Sequence, residues 1–208
     1  MSDEAMGLNL EALAFCGQIM GALFLTNPKA PEFAPLRDRL RNVDLENEWP
    51  FGHSECLRQA QRGLGAAVPI EDIGRAYQRL FIGPYHFEAP AWGSVYLDKD
   101  QVLFGTSLLE LRDWMRLNGI TVNKEANEPE DHVGRMLVLL GWLAQEKPNL
   151  IPEYLSGHLL PWVMRYLDLL EEHAANSFYE GLAVLTRTTL VDIAAIFEVV
   201  PMSKKLYR

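Results

Sequence analysis

The sequence predicts an all-α protein, because apolar residues recur at three- and four-residue spacing along most of its 208 residues. No run of β-branched residues alternates with polar ones as a half-buried strand would. Pairs of asparagine, glycine and proline stand where the helical pattern stops. We therefore expect one helical bundle over residues 1–208, with residues 121–126 as the candidate boundary between two lobes.

The first predicted helix carries an apolar stripe at helical spacing. The stripe consists of Leu10, Leu13, Ala14, Gly17, Gly21 and Phe24. Asn27-Pro28 ends the helix. Because glycine has no side chain, Gly17 and Gly21 would let another helix approach this backbone closely.

The next two helices are expected on either side of a loop. One covers residues 35–41, the loop at residues 47–52 carries Trp49, and Ser54 is the expected cap of the following helix. A fourth helix over residues 70–81 shows the same apolar period.

The stretch from Pro84 to Gly105 differs from the rest of the chain. It follows a Gly83-Pro84 stop signal and contains five aromatic rings, but it has no sustained helical period. A connection of this length inside a compact domain is uncommon and is usually functional or disordered. Its aromatic content argues against disorder, so we expect a long, irregular, functional segment.

Helical patterns resume in the second half of the chain. One helix runs from near Thr106 to an Asn118-Gly119 stop signal. Residues 127–130 read Asn-Glu-Pro-Glu, a capping box that predicts the start of a helix, apolar on nearly all sides and therefore central, ending near Gln145. Two further helices are expected over residues 154–173 and 177–199.

Composition limits the classes of function. Acidic residues outnumber basic ones by 28 to 19, and the net charge of -9 opposes nucleic-acid binding and favours a cationic partner, although solubility alone also explains it. The apolar stretch from Ala12 to Leu25 is too short to span a bilayer, and Cys16 and Cys56 form no CxxC pair. We expect a cytoplasmic chain with reduced cysteines and no stable membrane insertion.

Motifs for catalysis or cofactor binding are absent from the sequence. There is no phosphate-binding loop and no HExxH zinc motif, and Gly63-Leu64-Gly65 lacks the third glycine of a dinucleotide fingerprint. Gly93-Ser94 lacks the second glycine of a hydrolase elbow. Glu128 and His132 would supply only two ligands to a metal. We expect no enzyme, no cofactor and no metal.

Two clusters remain as candidate binding sites. Carboxylates and a histidine crowd the predicted start of the central helix, at Glu128, Glu130, Asp131 and His132. These carboxylates either cap the helix or receive the guanidinium groups of a peptide in bidentate geometry. The rings of the 84–105 segment either fill the space between helices or form the apolar walls of a peptide groove.

Motifs along nearly the whole chain resemble those of the DmsD branch of the TorD/DmsD/NarJ family. The motifs are GALF near Gly21, YQRLFIGP at 77–84, PAWGSVYLD at 90–98, VLFG at 102–105, NEPEDH at 127–132 and LLPWVMRYLD at 159–168. The resemblance implies a cytoplasmic all-helical chaperone that binds the twin-arginine signal peptide of a molybdopterin oxidoreductase. The typical client is the catalytic subunit of dimethyl sulfoxide reductase, withheld from export until its cofactor is loaded. Components of the Tat translocase are a further expected partner.

The resemblance also implies a peptide-binding surface. Carried over by motif, it consists of Tyr77, Leu80, Phe81, Tyr85, Pro90, Trp92, Gly105, Asp131 and His132, to which the acidic cluster adds Glu128. The chain departs from the family where Tyr77 and Tyr85 replace tryptophan of some relatives and where HFEAPAW replaces a more proline-rich loop. The alternatives are another molybdoenzyme client, a guanine-nucleotide switch or hydrolase, and a permanent assembly subunit. The expected state is a monomer or a dimer swapped through residues 121–126.

Overall fold

The computed structural model describes residues 3–84, 86–121 and 128–208, and within them the protein is helical without a β-strand. The all-α prediction is therefore confirmed. The α-helices of the first half are α1 (Asp3–Leu25), α2 (Phe33–Asn42), α3 (Leu45–Glu48), α4 (Ser54–Leu64), α5 (Ile70–Tyr77), α6 (Gly93–Leu97) and α7 (Thr106–Leu117). Those of the second half are α8 (Val133–Glu146), α9 (Ile151–Tyr154), α10 (Leu160–His173) and α11 (Ser177–Ile196).

Three helical segments of other types extend these elements. A π-helical segment, Gln78–Ile82, continues α5, and a second one, Leu155–Leu159, joins α9 to α10. A 3-10 turn, Pro148–Leu150, leads into α9. The candidate lobe boundary at residues 121–126 falls almost entirely outside the described residues.

Helices α1 and α8 cross with their backbones in close contact. A methyl group at Gly17 would lie 2.7 Å from the Leu137 carbonyl oxygen and 2.8 Å from the Gly141 nitrogen. From the other side, a methyl group at Gly141 would lie 2.9 Å from the Ala14 carbonyl oxygen. Real side-chain carbons do not approach backbone atoms this closely, so only glycine permits the crossing. The expectation drawn from Gly17 is confirmed.

A second close crossing joins α4 and α11. A methyl group at Gly63 would lie 2.5 Å from the Ser177 carbonyl oxygen, and one at Gly181 would lie 2.8 Å from the Leu64 nitrogen. Gly63, which begins the incomplete dinucleotide fingerprint, therefore serves helix packing. Between the two crossings the core is filled by fully buried large rings, among them Tyr96, Tyr154, Trp162, Tyr166, Phe178 and Tyr179.

Two predicted features of the first half need correction. Ser54 is the first residue of α4 and not its cap, because the extended residue before the helix is His53. The predicted loop at residues 47–52 overlaps a short helix, α3, which Asp44 caps by accepting a hydrogen bond from the Asn47 N–H. Trp49 directly follows this helix, and its Nε1 donates to the Thr189 hydroxyl oxygen at 2.9 Å.

The predicted start of the central helix is also wrong. Helix α8 begins at Val133, and its cap is His132, whose Nδ1 accepts a hydrogen bond from the Gly134 N–H at 3.1 Å. Asn127 lies outside the described residues. Glu130 forms an ion pair with Arg112 of α7 at 2.6 Å and stands before the helix, not inside its first turn.

After α11 the chain returns across the bundle in extended form. Residues 199–208, here called the strap, pass over the Leu155–Leu159 segment and reach α6. The Met202 N–H donates to the Ser156 carbonyl oxygen at 2.9 Å, and the Tyr207 N–H donates to the Tyr96 carbonyl oxygen at 2.9 Å. The sequence predicted a helix up to residue 199, whereas α11 ends at Ile196, and it assigned no role to residues 202–208.

Cys16 is buried, Cys56 is half-buried, and neither is joined in a disulfide. No described helix combines the length and the apolar character that crossing a membrane requires.

We expect Gly17→Ala to lower the free energy of unfolding by about 1–3 kcal/mol, because the added methyl group must push α8 away from α1. Denaturant unfolding followed by circular dichroism measures this change. Gly7→Ala is the matched control in the same helix, since a methyl group there has nothing within 4 Å. The control should leave stability unchanged or raise it by up to about 1 kcal/mol, the difference in helix propensity. Equal effects of the two substitutions would contradict the close crossing.

Candidate functional site

Two distant parts of the chain meet in a short antiparallel pairing between Trp92 and His132. The Gly93 N–H donates to the Asp131 carbonyl oxygen at 3.1 Å, and the Val133 N–H donates to the Ala91 carbonyl oxygen at 2.8 Å. These bonds join the irregular aromatic segment to the acidic cluster before α8. The two candidate sites of the sequence are therefore neighbours in the structure.

An aromatic cluster forms on one side of this pairing. The rings of Trp92 and His132 are 5.5 Å apart, and Phe81 lies 6.3 Å from His132. Tyr77 packs 5.2 Å from Phe81, and Phe87 packs 5.6 Å from Trp92. Edge-to-face and tilted contacts at these distances stabilise such groups beyond simple burial. Phe87 is only half-buried, so the cluster reaches the surface there.

Glu128 provides a negative edge to the aromatic cluster. Its Oε2 accepts a hydrogen bond from the Trp92 indole N–H at 3.1 Å. Its backbone carbonyl oxygen accepts a hydrogen bond from the Arg135 guanidinium. The carboxylate is only partly buried, so it can still receive a cationic group from solvent.

His132 is a neutral part of the aromatic cluster. Its side chain is buried, and burial, with a smaller contribution from the positive charge of Arg135, lowers its pKa to about 3. Because Nδ1 accepts the hydrogen bond from Gly134, the ring proton of the neutral form is on Nε2. His132 therefore acts through its shape and its cap of α8, not through charge.

Asp131 faces away from the aromatic cluster. Its Oδ2 accepts a hydrogen bond from the Ser94 N–H at 2.7 Å, which satisfies an amide in the first turn of α6. Its Oδ1 has no hydrogen-bond partner among the described residues. Burial raises the pKa of this carboxyl, and the Ser94 N–H opposes the rise. Asp131 thus caps α6 with one oxygen, while the other is buried without a partner among the described residues.

Asp131 also lines a narrow cavity between α6, α7, α8 and the Leu155–Leu159 segment. His158, Trp162 and Lys204 of the strap also line it. The cavity has room for about one water molecule. A small cavity with charged groups at Asp131 and Lys204 therefore lies next to the strap, and no residue of the aromatic cluster lines it.

The remaining predicted site residues occupy three different places. Leu80 is buried beside Phe81 in the π-helical segment, and Pro90 is buried ahead of the Trp92–His132 pairing. Gly105 precedes α7, where a side chain would overlap the Asp98 carboxylate. That carboxylate accepts a hydrogen bond from the Ser107 hydroxyl at 2.5 Å, at the start of α7. Tyr85 lies outside the described residues.

Sequence reasoning missed an exposed apolar turn next to the site. Val102, Leu103 and Phe104 expose 51%, 42% and 61% of their surface, and Phe104 has a positive φ of 66°. The guanidinium of Arg112 lies 5.9 Å from the centre of the Phe104 ring while it also pairs with Glu130. The sequence feature that could have indicated this surface is the apolar run immediately before Gly105, inside a segment without helical period.

The described residues contain no group of three or more histidine, cysteine or acidic side chains arranged to hold a metal ion.

Comparison with known proteins places the chain in a family. A family model described as nitrate reductase delta subunit matches residues 52–168, more than half of the chain. The chain belongs to this family, which is the TorD/DmsD/NarJ family of its motifs.

The family relatives are chaperones by name. The Tat proofreading chaperone DmsD of Salmonella typhimurium is 41% identical over 202 residues, which cover 97% of this chain and 98% of the relative. The probable Tat proofreading chaperone DmsD of Haemophilus influenzae is 35% identical and covers 87% of this chain and 89% of its own. The chaperone protein YcdY of Escherichia coli is 26% identical over 83% of this chain and 89% of its own. The chain is thus a chaperone that acts in redox-enzyme maturation, and not an enzyme.

The pKa of His132 predicts how stability depends on pH. An unfolded histidine takes up its proton near pH 6.5, whereas folded His132 resists protonation until about pH 3. The unfolded state therefore binds more protons in this window, so the free energy of unfolding should fall as pH falls from about 6.5 to about 4. Asparagine also caps helices and does not titrate, so His132→Asn should lose less stability over the same range.

Denaturant unfolding of both proteins at neutral pH and near pH 4.5 tests this expectation. Asp131 and His158 titrate in both proteins and therefore cancel in the comparison. Parallel losses in the two proteins would mean that His132 does not carry the pH dependence.

Proposed function

We propose that this chain binds the twin-arginine signal peptide of a molybdopterin oxidoreductase in the cytoplasm and holds the precursor back until its cofactor is loaded. The observation that carries the proposal is the junction of an acidic edge with an aromatic cluster at the Trp92–His132 pairing. A peptide with basic residues followed by an apolar stretch is complementary to such a junction.

The apolar half of the proposed site extends beyond the aromatic cluster. Ile82 directly follows the cluster residue Phe81 and is 50% exposed. The exposed turn at residues 102–104 lies on the other side, next to Arg112 of α7. Exposed apolar groups next to a polar rim are typical of interaction surfaces. The apolar stretch of a signal peptide would cover them.

The acidic half of the proposed site already binds one arginine of this chain. Arg112 of this chain donates from both Nε and a terminal guanidinium nitrogen to Glu130, at 2.7 and 2.6 Å. Glu128 and Asp131 stand on either side of Glu130 along the chain, and each keeps a carboxylate oxygen that no described residue neutralises with an ion pair. These two carboxylates are the proposed partners of the two leader arginines.

The proposed client is the catalytic subunit of dimethyl sulfoxide reductase. The 41% identical relative is named a Tat proofreading chaperone DmsD, and the identity extends over nearly the full length of both chains. The stretch from His86 to Trp92 departs from the family's more proline-rich loop. It contributes Phe87 and Trp92 to the aromatic cluster. This stretch is therefore the expected determinant of the choice between related molybdoenzyme leaders.

Substitution of Asp131 separates its capping role from charge recognition. Asp131→Asn keeps an acceptor oxygen for the Ser94 N–H but removes the negative charge. We expect it to weaken the binding of a synthetic twin-arginine leader by about tenfold or more, the value of one charge-assisted hydrogen bond. Asp131→Ala also leaves the Ser94 N–H without its acceptor and should lower the free energy of unfolding by about 1–3 kcal/mol.

Isothermal titration calorimetry measures the affinity, and denaturant unfolding measures the stability. The control is a leader peptide with both arginines replaced by glutamine, which should bind the wild-type chain and Asp131→Asn equally weakly. If Asp131→Asn binds the intact leader as tightly as the wild type does, then Asp131 only caps α6. If the wild-type chain shows no saturable binding to any molybdoenzyme leader, the proposed function is wrong.

A further inference from the structure

The strap lies on the polar side of the candidate site as an extended peptide. Its backbone is held by hydrogen bonds that any sequence could make, from the Met202 N–H to Ser156 and from the Tyr207 N–H to Tyr96. The side chains of Ser156 and Gln101 donate to the strap carbonyl oxygens of Val200 and Tyr207 at 2.7 and 3.0 Å. Proteins that bind extended peptides use the same kind of backbone recognition.

Basic side chains anchor the strap to both sides of the candidate site. The Lys204 ammonium group pairs with Glu110 of α7 at 3.2 Å. The Arg208 guanidinium donates to the carbonyl oxygens of Phe87 and Glu88. Because Phe87 is part of the aromatic cluster, the strap connects the narrow cavity to that cluster.

Lys204 and Asp131 both line the narrow cavity. The cavity has room for about one water molecule, which is far too little for a guanidinium group. Because Lys204 of the strap lines the cavity, a cationic side chain can enter it from that side only after the strap has moved away.

Val199 and Tyr207 at the two ends of the strap are half-buried, whereas the apolar side chains between them are more exposed. Val200 is 79% exposed, Met202 is 56% exposed and Leu206 is 38% exposed. Little apolar surface is thus buried under these residues, so their hydrophobic contribution to closure is small. The Lys204–Glu110 pair is half-exposed, with Lys204 the more buried partner, so solvent weakens the attraction between the two charges. Backbone hydrogen bonds are thus a main part of what holds the strap, and a second extended peptide can make the same bonds.

We propose that the strap is an internal peptide ligand that occupies the groove between α6, α7 and the Leu155–Leu159 segment, and that an extended basic peptide displaces it. The groove is then a second peptide-binding region, selective for backbone in the extended form with cationic side chains directed at Glu110 and Asp131. This inference rests on the proposed function, in which the displacing peptide is the client leader.

Amide hydrogen exchange on the full chain tests the displacement directly. The Met202 and Tyr207 amides report the closed strap, because each donates to a carbonyl oxygen of the bundle. Saturation with a synthetic twin-arginine leader should speed their exchange by about tenfold, since the strap bonds are then open. If the leader binds and both amides stay protected, the strap is not displaced and the inference is wrong, although the proposed function stands.

Lys204→Glu opens the strap without any ligand, because the new carboxylate faces Glu110. The variant should bind the leader about fivefold more tightly than the wild type, since the competent open form is more populated. Lys147→Glu makes the same change in net charge at the C-terminal end of α8, away from the strap, and should leave affinity within about twofold. Equal tightening in both variants would assign the effect to net charge and overturn the inference.

A third experiment tests the groove without a leader peptide. A synthetic peptide with the sequence of residues 199–208 should bind Lys204→Glu saturably in calorimetry and compete with the chain's own strap. It should bind the wild-type chain at least about fivefold more weakly, because the groove there is occupied. Failure to bind the variant would show that the groove does not accept peptides. That failure is distinct from the loss of leader binding by the wild type, which would instead contradict the proposed function.

Discussion

The close crossing of α1 and α8 is the constraint on which the candidate site depends. At Gly21 a methyl group would lie 2.7 Å from the carbonyl oxygen of Gly134, two residues after the cap residue His132. Immediately beyond this contact, the Leu25 carbonyl oxygen at the end of α1 accepts a hydrogen bond from the Tyr77 hydroxyl at 3.0 Å. Phe24 of α1 packs 6.2 Å from Phe81. The crossing therefore brings the end of α1, the end of α5 and the start of α8 to one point, and the aromatic cluster forms there.

The turn and the short pairing before α8 explain why neighbouring residues serve different sides of the site. The His132 N–H donates to the Pro129 carbonyl oxygen at 3.1 Å, so Asp131 lies in a turn, whereas His132 pairs with Trp92. His132 points into the aromatic cluster, whereas Asp131 lines the cavity next to the strap. Two chemically different surfaces are thus built from adjacent residues, and the backbone bonds to Ala91 and Gly93 hold both in place. A rigid junction of this kind keeps the distance between the apolar and the acidic surfaces constant.

Local patterns in the sequence predicted most of the helices, because periodicity and stop signals act over a few residues. The end of α7 is an example, since Gly119 adopts a φ of 66° just after the last helical turn. The start of α8 was placed too early, because the capping pattern of residues 127–130 is local, whereas His132 is the cap only when it is buried against Trp92 and Phe81. A contact forty residues away in the chain thus decides a boundary that local signals misplaced.

The difference between local patterns and long-range contacts also decides which parts of the candidate site could be predicted. The family motifs pointed to Tyr77, Phe81, Trp92 and His132, and the structure brings these four residues together. The burial of Asp131 follows from its bond to Ser94, and the position of the strap follows from the bond between Tyr207 and Tyr96. No spacing in one sequence encodes such pairings, because they depend on the order in which whole helices pack. The basic residues at 204, 205 and 208 in an otherwise acidic chain were the one visible sign of the strap.

A resident peptide would improve selectivity at the expense of affinity. Any client must displace the strap, with its backbone bonds and cationic contacts, before it gains contacts of its own. Its apparent affinity is therefore the affinity for the open form multiplied by the fraction of chains that are open. An apolar peptide without basic residues gains the aromatic cluster but leaves Glu110 and Asp131 without a cation. A basic peptide without an apolar stretch pairs with these carboxylates but leaves the aromatic cluster uncovered. Only a peptide with both features gains enough binding free energy to offset the displacement of the strap. The strap would thus make two weak, unselective surfaces act as one selective site.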